Sequence, residues 1–386
     1  MKIFKIIFKN AFRHKLRVFL TIIGISIAVM AFGLLRTVVT AWNAGVDASS
    51  ANRLITRQAV SFVFPLPYAD REQIAKIPGV DVVTPFIWFG GVYIEKKNFF
   101  ARMACDPETV FDSYPEYLVE KENKEIFKKE RNSCIIGEAL AKQFKLKIGD
   151  VMNIDGDIFP GRWQFTIRGI YKPRDKTVDA TQMLFDWKYV DERMKQDSPE
   201  RSGLVGWYVV NIKDAAKSAE ISERIDTIFK NSRAETKTET ERAFQQGFVA
   251  SSGAIITAMN VMAFVIIGII MLVLGNTMIM SARERTREYA VLKTLGFQGG
   301  HLIAFIAGES LIISFMGGLL GLGILFPFVA AFEAFMPKGF FPVFNIAPST
   351  VIIAASSALA VGFAASIFPI QRALKTSIVD GLRHIG

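Results

Sequence analysis

Forty consecutive residues, Ala243 to Ala282, carry no charge. Three more uncharged runs accompany them: Val18 to Leu35, bounded by Arg17 and Arg36, then Ser310 to Phe332, then Gly339 to Gln371. A helix needs about 20 apolar residues to cross ~30 Å of hydrocarbon. The runs therefore predict four transmembrane helices, near 18–38, 254–280, 302–332 and 348–370. Forty residues at ~1.5 Å each would span ~60 Å, too long for the bilayer alone. The polar start of that run, Gln245-Gln246-Gly247 and Ser251-Ser252, predicts a helix that leaves the membrane as a stalk. With 51% hydrophobic residues and a mean hydropathy of +0.30, the chain is also too apolar for disorder. Two cysteines exclude a disulfide-stapled miniprotein and Cys-rich zinc sites. Three histidines, His14, His301 and His384, exclude a His-rich metal site.

The net charge of +10 could point to nucleic acid, so its placement decides. Residues 1–17 carry Lys2, Lys5, Lys9, Arg13, Lys15 and Arg17 and no acid, for +6. Residues 281–300 and 371–386 carry +2 each, while 36–242 holds 32 basic against 31 acidic residues. The excess flanks the spans instead of lining a soluble face, which excludes nucleic acid as partner. The positive-inside rule places all three basic pieces in the cytoplasm. Segment 39–250, with its stalk, and a short loop at 333–347 are then external. A cleaved signal peptide is disfavoured: the first apolar run is long, and Trp42 follows Ala41 where a small-x-small site would be needed. Over 2–15, Lys2, Lys5, Lys9 and Arg13 form a stripe that Ile3, Phe4, Ile7, Phe8 and Phe12 mostly avoid, as in a helix lying at the inner interface and touching membrane lipids.

Between the first two spans, strand-like and helix-like pieces alternate. Helical stretches fall at 69–77, 137–144 and 215–230; strands at 80–83, 86–94, 133–136, 150–154, 165–171, 205–212 and 234–238. The class expected is an α+β domain joined to an α-helical membrane protein. Lys121 to Arg131 mixes charges as a solvated helix does. Asp155 and Asp157 have the spacing of a turn rather than of a cation site. Cys105 and Cys134 lie on the oxidising side, yet each sits at the edge of an apolar strand, where free buried thiols are common. Bridged and free forms both stand. No phosphate loop, catalytic triad or carboxylate pair occurs, so the chain is read as non-catalytic, with no catalytic, metal-binding or cofactor-binding residues.

Met280 to Phe297 reads MSARERTREYAVLKTLGF. It begins where the second span ends and stops at Gly296, a helix C-cap. On a 3.6 period Glu284, Glu288, Val291, Leu292 and Leu295 share one side; Arg283, Arg287, Ala290 and Lys293 share the other. The basic side suits lipid phosphates, and the acidic and apolar side suits a groove on a cytosolic partner, although composition alone favours an ordinary amphipathic linker between spans. In the third span, Glu309 lies about eight residues in, ~12 Å deep. A carboxylate there turns inward and seeks a partner. Asn276, at similar depth in the second span, is the preferred hydrogen-bond partner; the alternative is that Glu309 snorkels or sits protonated without one. Gly317 and Gly321 form a G-x-x-x-G for close helix packing, and Ser356, Ser357, Ala360 and Ala364 supply small residues in the fourth span.

The stretch GNTMIMSARERTREYAVLKTLGF resembles the signature of FtsX-like permeases of ABC transporters, of the MacB and LolC/LolE type. Asn276, Glu284, Arg285, Arg287, Glu288, Leu295 and Gly296 occupy its positions; Tyr289 stands where Ile is usual, and Ser377 where Pro is usual. Glu309, the glycines Gly317, Gly318, Gly321 and Gly323, and the pieces IIGEALAKQFKLKIGDVMNID, FTIRGIYK and IPGVDVVTP are similar too. The resemblance implies a four-span permease subunit of the bacterial cytoplasmic (inner) membrane, both termini cytoplasmic, paired with a second permease copy or paralogue. It implies an external domain with a Porter-like part, near 50–100 and 203–242, around a Sabre-like insert near 105–200. The helix after the second span becomes the coupling helix, with Glu284, Arg285, Arg287, Glu288, Val291, Leu292, Leu295 and Gly296 contacting an ATPase. Because the chain lacks G-x-x-x-x-G-K-[ST], ATP and Mg²⁺ would be bound by that separate ATPase chain. A periplasmic adaptor and an outer-membrane channel are further partners, and lipid, lipoprotein, peptide or amphipathic drug are the substrates left open. The alternative is an FtsX-like signalling subunit that activates a cell-wall hydrolase, whose external domain is usually much smaller.

Overall fold

A computed structural model describes residues 7–8, 11–175, 177–335, 341 and 343–378. It divides into two units, Met1–Thr40 with Gly253–Phe332 and Asn345–Gly386, and Ala41–Ser252 with Glu333–Phe344. Much of the expected interfacial stripe over 2–15, and the tail beyond 378, lie outside the described residues.

The first unit is built on four long apolar helices: α1 (Lys15–Ala48), α9 (Gly253–Glu284), α11 (Gly299–Phe335) and α12 (Pro348–Lys375). Each is long and apolar enough to cross a membrane. In α1, Arg17 and Arg36 stand 19 residues apart. That is about 28 Å of helix axis, which matches the hydrocarbon thickness between two charged ends. The 40-residue uncharged run is not one helix. Residues Glu241–Ser251 form a separate helix, α8, and the chain breaks at Ser252 before α9 begins.

Small residues bring these helices together. A Cβ on Gly317 would stand 2.6 Å from Ile25 Cγ2, and one on Gly321 would stand 2.6 Å from the Ser26 carbonyl oxygen. The G-x-x-x-G stripe thus lets α11 lie against the backbone of α1, and the Ser26 hydroxyl donates to the Gly317 carbonyl at 3.1 Å. On its other side α11 meets α12 through Ser310, whose hydroxyl donates to the Gly362 carbonyl at 2.6 Å, and through Ser314, which donates to the Ala358 carbonyl. Helix α9 packs along α12 and touches α1 at Thr21 and Thr277, whose hydroxyls are 3.3 Å apart. Ile22, Ile25, Leu274, Ile306, Ile313 and Ala358 fill the interior of this unit. Far more of α9 than of the other three spans faces outward.

The second unit is an α+β domain. Its strands are β1 (Arg53–Gln58), β2 (Leu66–Pro67), β3 (Val80–Trp88), β4 (Arg102–Cys105), β5 (Tyr117–Leu118), β6 (Ser133–Gly137), β7 (Val151–Gly156), β8 (Gly161–Pro173), β9 (Met183–Asp186), β10 (Leu204–Val205), β11 (Trp207–Ile212) and β12 (Thr236–Thr240). Helices α2 (Asp70–Ala75), α3 (Val110–Ser113), α4 (Lys121–Lys129), α5 (Glu138–Phe144), α6 (Trp187–Asp197) and α7 (Ser218–Ile228) pack around them. Ten strands form one sheet in the order β12-β1-β11-β3-β4-β9-β6-β8-β5, with β7 beside β8; β2 and β10 pair separately. The outer segments of the domain supply β12, β1, β11 and β3, and the insert supplies the rest. Antiparallel pairing of β3 with β4, Phe86 opposite Cys105, joins both parts in a single sheet.

Two expected strands, 80–83 and 86–94, are one strand that ends at Trp88. Gly90 and Gly91 then turn the chain out with φ of 72° and 101°, a region only glycine enters cheaply. Phe89, wholly buried, meets Trp163 and Phe185 edge-on with ring centroids 5.2 Å apart in both pairs. Each such contact adds about 0.5–1.5 kcal/mol beyond burial. Cys105 and Cys134 are free and buried. Strand β9 separates them: Cys105 pairs with Asp186 and Cys134 with Phe185. Two strand spacings, roughly 9–10 Å, exceed what a disulfide bridges.

Candidate functional site

The signature segment closes one end of the four-helix unit. Helix α9 ends at Glu284, Arg285 interrupts it, and α10 (Thr286–Thr294) follows. At its far end Gly296, with φ 87°, terminates α10. The Gly296 N–H donates to the Lys293 carbonyl at 3.1 Å and the Phe297 N–H to the Leu292 carbonyl at 3.0 Å. These are the two bonds of a Schellman cap.

Three clasps hold the junction of α9 and α10, and α10 itself, to the rest of the unit. Arg285, buried, donates through Nη1 to Glu309 Oε2 at 2.8 Å, and the Ser281 hydroxyl lies 3.4 Å from Glu309 Oε1. This corrects the Asn276 pairing. Asn276 is exposed on α9 and lies five residues before Ser281, whereas Ser281 and Arg285, one helical turn apart, both present their side chains to Glu309. A buried carboxylate answered by a buried cation avoids the several kcal/mol of an isolated charge.

The second clasp is a ladder. Arg17 binds Glu284 through Nη1 at 2.9 Å and Nη2 at 2.6 Å, and Arg13 binds Glu288. Both partners step by four residues in opposite chain directions, so the start of α1 and the segment before it run antiparallel to the signature. Glu284 and Glu288 are thus engaged by arginines of their own chain, with 41% and 46% of their side chains still exposed. The third clasp is Lys293. Its ammonium donates to the carbonyls of Ala373, Leu374 and Thr376 at 3.1, 3.0 and 2.7 Å, capping the C-terminal end of α12. Lys293 is therefore occupied and does not join a lipid-facing basic side. Ala290, expected on that side, is buried, as is Tyr289.

What remains outward is a stripe spaced by four: Arg287, Val291 and Leu295, with Phe297 beyond. Leu295 is 70% exposed and Val291 41%, while Leu292 is partly buried against the core. Of the signature residues, Glu284, Arg285, Glu288 and Leu292 hold α10 in place, Gly296 ends it, and Arg287, Val291 and Leu295 face away. Arg13, Arg17, Ser281, Tyr289 and Lys293 escaped sequence reasoning. The matched four-residue steps of Arg13/Arg17 and Glu284/Glu288 were the one signal that could have found two of them.

Residues 260–378 match the FtsX-like permease C-terminal family, and residues 18–228 match the MacB-like periplasmic core domain, more than half of the chain. The chain belongs to the FtsX-like, MacB-type ABC transporter permeases. Among relatives of this permease, one named an ABC transporter permease in Methanocaldococcus jannaschii is 25% identical over 396 residues, 97% of this chain and 96% of that one. The macrolide export ATP-binding/permease protein MacB of Neisseria gonorrhoeae is 25% identical over 224 residues, 56% of this permease. The aligned region is only 33% of that MacB's own length. Among solved structures, the periplasmic region of MacB from Actinobacillus actinomycetemcomitans covers 53% of this permease at 12% identity, with a TM-score of 0.38.

Proposed function

We propose that this permease is the membrane subunit of a MacB/LolCDE-type transporter and that a separate ATPase chain docks on α10. The observation that carries this is the contrast on one short helix. The junction and the helix itself are bound by Arg17–Glu284, Arg13–Glu288, Arg285–Glu309 and the Lys293 cap on α12, while the apolar residues Val291, Leu295 and Phe297 remain exposed. Uncovered apolar residues grouped at a helix end mark an interaction surface. The surrounding basic excess supports a cytosolic position for this end, in the cytoplasmic membrane, with both termini on the same side. Docking at α10 would then bear on α1, α11 and α12 through these ion pairs and the Lys293 cap. ATP and Mg²⁺ belong to the docked chain. A second permease copy or paralogue completes the transporter, and the α+β domain acts on a lipid, lipoprotein, peptide or amphipathic drug at the outer face. An adaptor and an outer-membrane channel are compatible additional partners.

Val291→Asp with Leu295→Asp tests the docking face without touching a clasp. The variant is expected to insert and retain its melting temperature, yet to recover at least tenfold less ATPase in a pull-down from membranes. Recovery equal to that of the unsubstituted chain would remove α10 from the contact.

A further inference from the structure

The α+β domain keeps the Arg53 guanidinium almost wholly from water. Arg53 opens β1 and is 3% exposed. Its Nε donates to Glu241 Oε2 at 2.9 Å, its Nη1 to the Ser113 carbonyl at 2.7 Å and its Nη2 to Glu116 Oε1 at 2.7 Å. The guanidinium plane lies over the Tyr114 ring, 4.1 Å from its centroid. Burial pulls this group down, but Tyr114, Glu241 and Glu116 hold it above the ordinary arginine range, so it stays charged. Glu241 Oε2 also receives the Ser50 N–H at 2.8 Å.

The placement along the chain is what matters. Ser50 and Arg53 follow directly on α1, which ends at Ala48. Glu241 is the first residue of α8, capped by Thr240, whose hydroxyl accepts the Ala243 N–H at 3.1 Å. Helix α8 continues in sequence through Ser252 to α9. The last turns of α1 also run close to α8, since a Cβ on Gly45 would stand 3.1 Å from Gln245 Oε1. A single carboxylate therefore holds both segments that lead from the domain to spans. Through Arg53 it also holds α3 and the residue before β5, where the insert begins.

We propose that Arg53 and Glu241 are positioning residues forming a joint that makes the end of α1 and the start of α8 move as one body with the sheet. This rests on the ATPase-coupled reading above. A buried ion pair that only stabilises can be replaced by apolar groups with little loss, whereas a joint that carries motion cannot. The three hydrogen bonds of Arg53 and the Ser50 bond to Glu241 tie together residues 50–53, 113–116 and 241, which a packed apolar pair does not reproduce.

The test uses the full chain with its ATPase in lipid nanodiscs, with hydrogen exchange read in the presence and absence of ATP and vanadate. In the unsubstituted complex, nucleotide is expected to change exchange at 49–53, at 241–245 and in α4 of the insert. Glu241→Gln and Arg53→Met are expected to keep ATP hydrolysis and the protection of β9, but to lose at least fivefold of the nucleotide response in α4. Independently of nucleotide, exchange at 49–53 and 241–245 should rise together by about tenfold. Glu116→Gln, which spares both stalk segments, should keep the response. If either folded variant transmits the full response, or the two segments loosen separately, the joint is refuted. If a variant loses β9 protection, Arg53→Lys, which keeps the cation but not the fork, is measured against the same two outcomes. An unsubstituted complex without any nucleotide response overturns the transporter reading itself, and the joint with it, before any variant is compared.

Discussion

A carboxylate inside a span must find a cation or a proton, and Glu309 finds Arg285 at 2.8 Å with both side chains buried. Removing one partner strands the other. Glu309→Leu is expected to cost about 3–5 kcal/mol, because Arg285 keeps its charge without an answer. Glu309→Gln retains an acceptor for Arg285 and Ser281 and should cost less. Arg285→Met combined with Glu309→Leu should regain most of the stability, since an apolar pair of similar volume replaces a desolvated one. Thermal unfolding in detergent ranks the three variants, and a double variant no more stable than Glu309→Leu alone would contradict the argument. Counting residues in from each helix end put Asn276 level with Glu309, but packing sets Ser281 and Arg285, five and nine residues further along the chain, beside it. Neither that offset nor the angle around the helix was legible in the sequence, because both depend on how the spans pack against one another.

Among the elements, α11 and α10 show the same division. The spacing of Gly317 and Gly321 revealed a close helix contact, but only the fold shows that the neighbour is α1. Gly321→Ala would set a methyl carbon 2.6 Å from the Ser26 carbonyl oxygen, a backbone atom that cannot step aside. The expected loss is about 1–3 kcal/mol of overpacking. Gly323→Ala, two residues on, meets nothing within 4 Å and should be neutral or slightly stabilising. Melting curves of the two variants check this, and equal loss in both would assign the effect to helix bending instead of contact. For α10, hydrophobic periodicity grouped Val291 and Leu295 on one side, and both are exposed in the structure. It assigned Glu284 and Glu288 to that face as well, because periodicity records which residues are adjacent and not which distant arginines reach them.

For the whole molecule, the charge distribution makes a topological prediction. Both native cysteines are buried, so an introduced thiol labels without background from either. Glu125→Cys on α4 should react with an impermeant maleimide in intact cells, and Arg287→Cys should react only after the membrane is opened. The opposite pattern would invert the orientation and remove α10 from the cytosol. Sequence alone determined four apolar helices, their basic flanks and an α+β insertion, because hydropathy and charge act through local composition and need no partner to be read. It determined the family signature for the same reason, as a run of neighbouring residues. The tertiary structure decided that Arg13 and Arg17 meet Glu288 and Glu284, that Lys293 caps α12, that β9 keeps Cys105 from Cys134, and that Arg53 meets Glu241. Each of those contacts joins residues far apart along the chain, or depends on which strand lies between them. Each is set by strand order and by helix rotation within a packed unit, quantities that local composition does not encode.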